Sequence, residues 1–144
     1  MKLIDTAQKL HLIEQVCFEQ EPWSLSMFKS ALENPNTVLV LEDFGYALGI
    51  KLSGESELHS IAVLPQFRGQ GLGGFLLSRF LSECRAECGE NPVFLEVASK
   101  NVPAIRLYER FGFVKIGVRK AYYKDDDAIT MKRIDLSSES KRQV

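Results

Sequence analysis

The sequence predicts one α/β domain, and three observations lead there. The apolar run Ile61-Ala62-Val63-Leu64 passes through the glycine-rich stretch Arg68-Gly69-Gln70-Gly71-Leu72-Gly73-Gly74 into Phe75-Leu76-Leu77-Ser78-Arg79-Phe80-Leu81, which reads as strand, turn and helix. Upstream, three β-branched or apolar segments are separated by short turns, the pattern of antiparallel strands. The chain has 144 residues, enough for one domain with a sizeable core and too few for two.

Taken in order, Leu3-Ile4 is expected to begin a short strand, and Asp5 or Thr6 to cap a helix carrying Leu10, Ile13, Val16 and Cys17 on one side. Glu21-Pro22-Trp23 breaks that helix, Ser24 starts a second one running through Ala31, and Asn34-Pro35-Asn36 ends it. Thr37 to Glu42, Tyr46 to Leu52 and Glu57 to Leu64 are strands, turned by Asp43-Phe44-Gly45 and Ser53-Gly54-Glu55. After the glycine loop come a helix to about Cys88, a strand from Val93 to Val97, and a helix from Val102 to Phe111 that Gly112 closes. Phe113 to Tyr123 and Ala128 to Ile134 form a last hairpin. The polar run beyond Asp135 reads as a frayed tail, so the expected division is a domain over 1–135 and a tail over 136–144.

Composition narrows the function classes. Hydrophobic residues make up 45% and charged residues 26%, ordinary for a globular domain, and the net charge of −1 lacks the basic footprint of a nucleic-acid binder. No apolar run suits a signal peptide or a membrane span, so the expectation is a cytoplasmic protein with no membrane partner. Cys17, Cys84 and Cys88 lack the paired spacing of a zinc site; buried free thiols are expected, and no metal.

The glycine loop points to a phosphorylated ligand. Glycines let backbone N–H groups converge without Cβ obstruction, and a helix starting there adds unpaired donors and the positive end of its dipole. A Walker A loop would need Gly-Lys-Ser/Thr, whereas Gly73-Gly74-Phe75 stands here. The spacing Gly69, Gly71, Gly74 satisfies G-x-G-x-x-G, and Glu96 follows at the end of the next strand. But Pro65-Gln66-Phe67-Arg68 separate strand from glycine, and little chain remains for a doubly wound domain.

Arg68, Gly71 and Gly73 also meet Arg/Gln-x-x-Gly-x-Gly/Ala, and in that form the loop resembles the pyrophosphate loop of the GNAT superfamily of N-acetyltransferases. Leu95-Glu96-Val97, Asn101, Ala104-Ile105-Arg106-Leu107-Tyr108 and Phe111-Gly112-Phe113 resemble the second half of that superfamily's cofactor site. Glu21-Pro22-Trp23-Ser24, Arg119-Lys120-Ala121-Tyr122-Tyr123 and Asp127-Ala128-Ile129-Thr130-Met131 are similar to the RimI family of bacterial ribosomal-protein alanine N-acetyltransferases. The resemblance runs from about Glu21 to Met131. It implies a single-domain GNAT fold: a mixed, mostly antiparallel twisted sheet flanked by helices, in which the strands at Glu57–Leu64 and Val93–Val97 are parallel neighbours that splay apart at the cofactor site.

The resemblance also implies roles. Acetyl-CoA would be the co-substrate, held by the loop from Arg68 to Gly74 (Gly69, Gln70, Gly71, Leu72 and Gly73 between them), by backbone groups of Ile61, Ala62 and Val63, and by Asn101. Glu96 would be the general base and Tyr108 the acid for the leaving thiolate. Trp23, Tyr122 and Tyr123 would line the acceptor groove, and the acceptor would be the N-terminal alanine of a small-subunit ribosomal protein. Each residue also has an ordinary reading. Glu96 is equally a solvated or Arg-paired strand-end acid, and Tyr108 shares a helix face with Ala104 and Phe111 as a core aromatic does. Asn101 suits a helix N-cap, Arg68 a solvated loop cation, His59 a structural histidine, and the three aromatics ordinary packing. Acetylation of other N-termini, lysines or a small amine is the alternative within the enzyme class. A CoA-binding regulatory module without turnover, or a nucleotide-binding module, is the alternative outside it.

Overall fold

The computed structural model describes residues 3–18, 22–85 and 91–134. Helix α1 spans Leu3–Cys17 and α2 spans Leu25–Glu33. Strands β1 (Thr37–Glu42), β2 (Gly45–Leu52) and β3 (Glu55–Val63) form the expected antiparallel meander. A 3-10 turn over Pro65–Phe67 leads to α3 (Leu72–Cys84), then β4 (Val93–Ala98), α4 (Val102–Arg110), β5 (Val114–Tyr123) and β6 (Asp126–Arg133). The six strands make one sheet in the order β1-β2-β3-β4-β6-β5, with β3–β4 the parallel pair.

Two expectations are corrected. Leu3 and Ile4 open α1 and form no strand. The buried side chains Ala7, Leu10, Ile13 and Glu14 recur at helical spacing from there on, and Asp5 sits in the first turn, where the helix dipole favours an acid. Val16, expected on the buried face, is exposed, and Glu14 takes a place on that face instead. Helix α3 stops at Cys84, short of Cys88: Arg85 is extended, and the Asn91 side chain donates to the Cys84 carbonyl that a further turn would have used. Cys84 is a buried free thiol, raised by that burial above its ordinary pKa. Cys88, Glu21 and the tail beyond Ile134 lie outside the described residues.

The two faces of the sheet carry separate cores. On one, α3 and α4 bury Leu76, Leu77, Phe80 and Tyr108 against Leu58, Leu95, Val97 and Met131. On the other, α1 and α2 bury Ala7, Leu10 and Phe28 against Tyr46, Leu48 and Ala62 of β2 and β3. Fully burying a side chain such as Phe28 or Leu10 is worth about 1.5–3 kcal/mol. The helices of the second face cover only the β1–β3 half. Front and back below mean the α1/α2 face and the α3/α4 face.

Candidate active site

Strands β3 and β4 are in register only at Ser56–Val93 and Glu57–Phe94. Beyond Glu57 they part, and β3 turns a stretch of backbone to open space instead of to a neighbour. A cavity of about 870 Å³ occupies the split. On β4, side-chain alternation sends Leu95 and Val97 into the back core, while Phe94, Glu96 and Ala98 face the other way. The cavity is lined by that front face and also by Asn101, Ala104 and Tyr108 of the back-face helix α4 and its cap. It therefore passes through the sheet, and two reactants can meet there from opposite sides.

Glu96 stands on the front rim. Its Oε2 accepts from Arg119 Nε at 2.9 Å and from Thr130 Oγ1 at 3.2 Å, and the side chain is 25% exposed. Register brings these groups together: Thr130 is the cross-strand partner of Glu96, and Arg119 pairs with Ala128 on the same hairpin. The Arg-paired acid is thus observed, alongside access of the same carboxylate to the cavity. Tyr108 lies on the back wall, 6% exposed, its ring edge-on to Phe113 at 5.8 Å. Its hydroxyl has no hydrogen-bond partner among the described residues. Burial, and secondarily the nearby Tyr123, pushes the phenol well above its ordinary value, so it keeps its proton across the physiological range.

Trp23, Tyr122 and Tyr123 all line the cavity. Trp23 packs on Phe28 (5.2 Å between centroids) and His59 (6.3 Å). Tyr122 and Tyr123 meet edge-on at 5.1 Å, and the Arg119 guanidinium lies over Tyr122. His59 also faces the cavity, its Nε2 2.9 Å from Glu57 Oε1. The pairing of Gly49 with Leu58 and of Leu48 with Ser60 leaves His59 as the extra residue of a bulge. Both His59 and Ser60 consequently point to the front.

The glycine loop lies outside this cavity's lining, next to the end of β3. Gly69 (φ +81°) and Gly71 (φ +79°) adopt left-handed backbone, which a side chain would strain. Gly71 caps α3, whose first intrahelical bond runs from Phe75 N to the Gly71 carbonyl, so the amides of Leu72, Gly73 and Gly74 have no helical acceptor. A Cβ added at Gly69 or Gly71 would meet nothing within 4 Å, so no other part of the described chain covers the loop there. These features fit a phosphate-bearing cofactor. Arg68 folds back, its Nε 2.8 Å from the Val63 carbonyl. Ile61 lines the cavity, whereas the Ala62 side chain belongs to the front core and Val63 packs on the back one. Asn101 does two things: its Oδ1 caps α4 at Ala104 N (3.3 Å), and it lines the cavity.

Sequence reasoning missed a polar cluster on the cavity floor. Glu14 of α1, only 3% exposed, accepts from the Tyr46 and Ser60 hydroxyls and from the Trp23 backbone N–H. An acid among apolar helix positions was the available signal. It missed Arg119 as the partner of Glu96 as well. Among the described residues no group of three or more His, Cys, Asp or Glu side chains gathers as a metal site, and no helix is long and apolar enough to cross a membrane.

Comparison with known proteins follows the same outline. Residues 5–113 match the model of the acetyltransferase (GNAT) family. The chain is 33% identical to the N-alpha-acetyltransferase RimI of Mycobacterium tuberculosis over 140 residues, covering 90% of this chain and 86% of that protein. It is 36% identical over 118 residues to a putative [ribosomal protein bS18]-alanine N-acetyltransferase of Bacillus subtilis, covering 76% and 78%. The crystal structure of the ribosomal-protein-S18-alanine N-acetyltransferase from Escherichia coli superposes with a TM-score of 0.81 at 29% identity, covering 93% of this chain and 90% of that one.

Proposed function

The chain belongs to the acetyltransferase (GNAT) family, and on that premise we propose that it acetylates the free α-amine of a protein N-terminus, with the N-terminal alanine of ribosomal protein bS18 as acceptor. Similarity to enzymes named for that alanine supports the acceptor. The observation that carries the reading is the cavity through the sheet, with Glu96 on one rim and Tyr108 on the other.

Acetyl-CoA supplies a thioester carbonyl open to an amine. The amides that start α3 hold its pyrophosphate, and the free edge of β3 beyond Glu57 holds the extended arm as an added strand would. Asn101 borders the same arm. The acceptor enters from the front, between Trp23 and the Tyr122-Tyr123 pair.

Glu96 takes the proton of the arriving ammonium. At pH 7 removing it from an α-amine of pKa about 7.8 costs about 1 kcal/mol, against about 4.6 kcal/mol for a lysine near 10.4. A single carboxylate reached from solvent is enough for the first and poorly matched to the second. Tyr108 meets the thiolate that leaves on the back side. Because burial raises the phenol, full proton transfer to a thiolate of ordinary basicity is uphill. Tyr108 acts chiefly as a hydrogen-bond donor to the developing charge. A ribosomal acceptor places the reaction in the cytoplasm.

The test is turnover of acetyl-CoA with two peptide sets, one with a free N-terminal alanine and one blocked at the N-terminus and carrying only lysine. Mass spectrometry should find the acetyl group on the alanine nitrogen. Acetylation of lysine with the free N-terminus untouched would refute the acceptor and keep the enzyme class.

A further inference from the structure

We infer that Glu14 is a positioning residue that fixes the Trp23 wall of the acceptor cleft, a role that rests on the N-terminal acetyltransferase reading above. Glu14 is buried and its carboxyl group is an acceptor in all three of its contacts. One oxygen, Oε1, takes the Tyr46 hydroxyl and, at 3.3 Å, the Ser60 hydroxyl. Those two hydroxyls also bond each other at 2.9 Å, so β2 and β3 present one joined polar patch beneath α1. The other oxygen, Oε2, takes the backbone N–H of Trp23 at 2.8 Å. One side chain thus couples the strand floor to the connection between α1 and α2.

That coupling matters because of where Trp23 stands. Its ring is wedged between Phe28 and His59 and lines the cavity on the acceptor side. Trp23 lies outside both regular helices, and its amide has no helical partner. A carboxyl group buried with a cluster of donors is costly unless each contact is kept. The apolar positions around it on α1, Leu10 and Ile13, would bury as well without it. What Glu14 adds is a fixed height for Trp23 above the strand floor, and so a fixed width for the acceptor entrance.

Glu14→Gln isolates the tether. The amide keeps shape and one acceptor oxygen for the two hydroxyls, and it turns an N–H donor toward the Trp23 N–H. The acceptor KM for an alanine peptide should rise about 10–100-fold, the span of a lost bond to a carboxylate. The acetyl-CoA KM and the kcat at saturating peptide should stay within about twofold. Tyr46→Phe, which spares the Oε2 contact, should raise the acceptor KM less than threefold. An unchanged acceptor KM in Glu14→Gln, or a Tyr46→Phe effect as large, overturns the inference.

Two readouts need neither turnover nor an acceptor, so they separate this inference from the assignment of function. The chain has one tryptophan, and acrylamide quenching of its fluorescence should increase in Glu14→Gln. In the wild-type protein the Trp23 amide should exchange with solvent deuterium at least about tenfold more slowly than an open loop amide. Unchanged quenching in a folded variant, or fast exchange of that amide, overturns the tether even if the enzyme acetylates its alanine peptide.

Discussion

The two halves of the front sheet face obey opposite rules. Over β2 and β3 the face is covered and apolar apart from one buried cluster: Tyr46, Leu48 and Ala62 lie under Ala7, Leu10 and Phe28, and the Tyr46 and Ser60 hydroxyls meet Glu14 of α1. Over β4 and β6 no helix is seated among the described residues, and the same alternation leaves Phe94, Glu96, Thr130 and Lys132 half-buried on that face. The register is continuous through β4 and β6, so side chains alternate regularly across the open half. Where helices seal the sheet the chain places mostly apolar residues and keeps its buried carboxylate fully hydrogen-bonded, and in the open half it places a carboxylate, a hydroxyl and a half-exposed ion pair. The boundary between the halves is the β3–β4 split, and the cavity sits on that boundary. A site there is floored by a rigid core on one side and open to an acceptor on the other.

Mutations should therefore separate stability from activity along this line. The largest effect is expected in the covered half. Phe28→Ala removes a fully buried ring that touches Trp23 and Tyr46, and should cost about 3–5 kcal/mol in urea unfolding. A loss below about 1 kcal/mol would mean that α2 is not part of one cooperative core. In the open half, Glu96→Gln should leave the unfolding midpoint nearly unchanged and lower kcat by about 10²–10⁴, the span of a general base. The defect should shrink as pH rises past the amine's own pKa, because the acceptor then arrives deprotonated. Wild-type rates from pH 6 to 9 in steady-state assays would make Glu96 structural and erase the distinction between the halves.

The sequence carries this division unevenly. The meander, the glycine loop and the last hairpin were legible because each rests on local signals: β-branched or apolar runs parted by short turns, the glycines between Arg68 and Phe75, and the neighbouring runs Phe113 to Tyr123 and Ala128 to Ile134. Motif position picked out Glu96 and Tyr108, which the fold brings to one cavity, and the split strand pair came through resemblance alone. Leu3-Ile4 was misread because two apolar residues are too few to show a period; the helical spacing of Ala7, Leu10 and Glu14 sets the conformation from Leu3 on. Glu14 and Arg119 were illegible for a different reason. Each is one charged residue in a pattern that tolerates charges, and it meets partners that only the fold brings near: Ser60 of β3 for Glu14, through the packing of α1 on the sheet, and Glu96 of β4 for Arg119, through the strand order.

The smallest expected effect is the most discriminating. Glu96 serves the proposed proton transfer and also pairs with Arg119, so Glu96→Gln alone does not tell which of the two its loss reports. Arg119→Gln does. The guanidinium side chain is 61% exposed, and an ion pair that open is worth about 0–1 kcal/mol, so unfolding should barely register its removal. Thr130 still donates to the Glu96 carboxylate in that variant and keeps it aimed along β4. If Glu96 handles the proton, Arg119→Gln should retain kcat within about tenfold while Glu96→Gln falls by two orders or more. If the carboxylate is there to anchor Arg119 and the stacked Tyr122, the two variants should fail alike, and both should fail through the acceptor KM. Measuring kcat and acceptor KM for the pair of variants side by side decides between a base that has an ion pair and an ion pair that resembles a base.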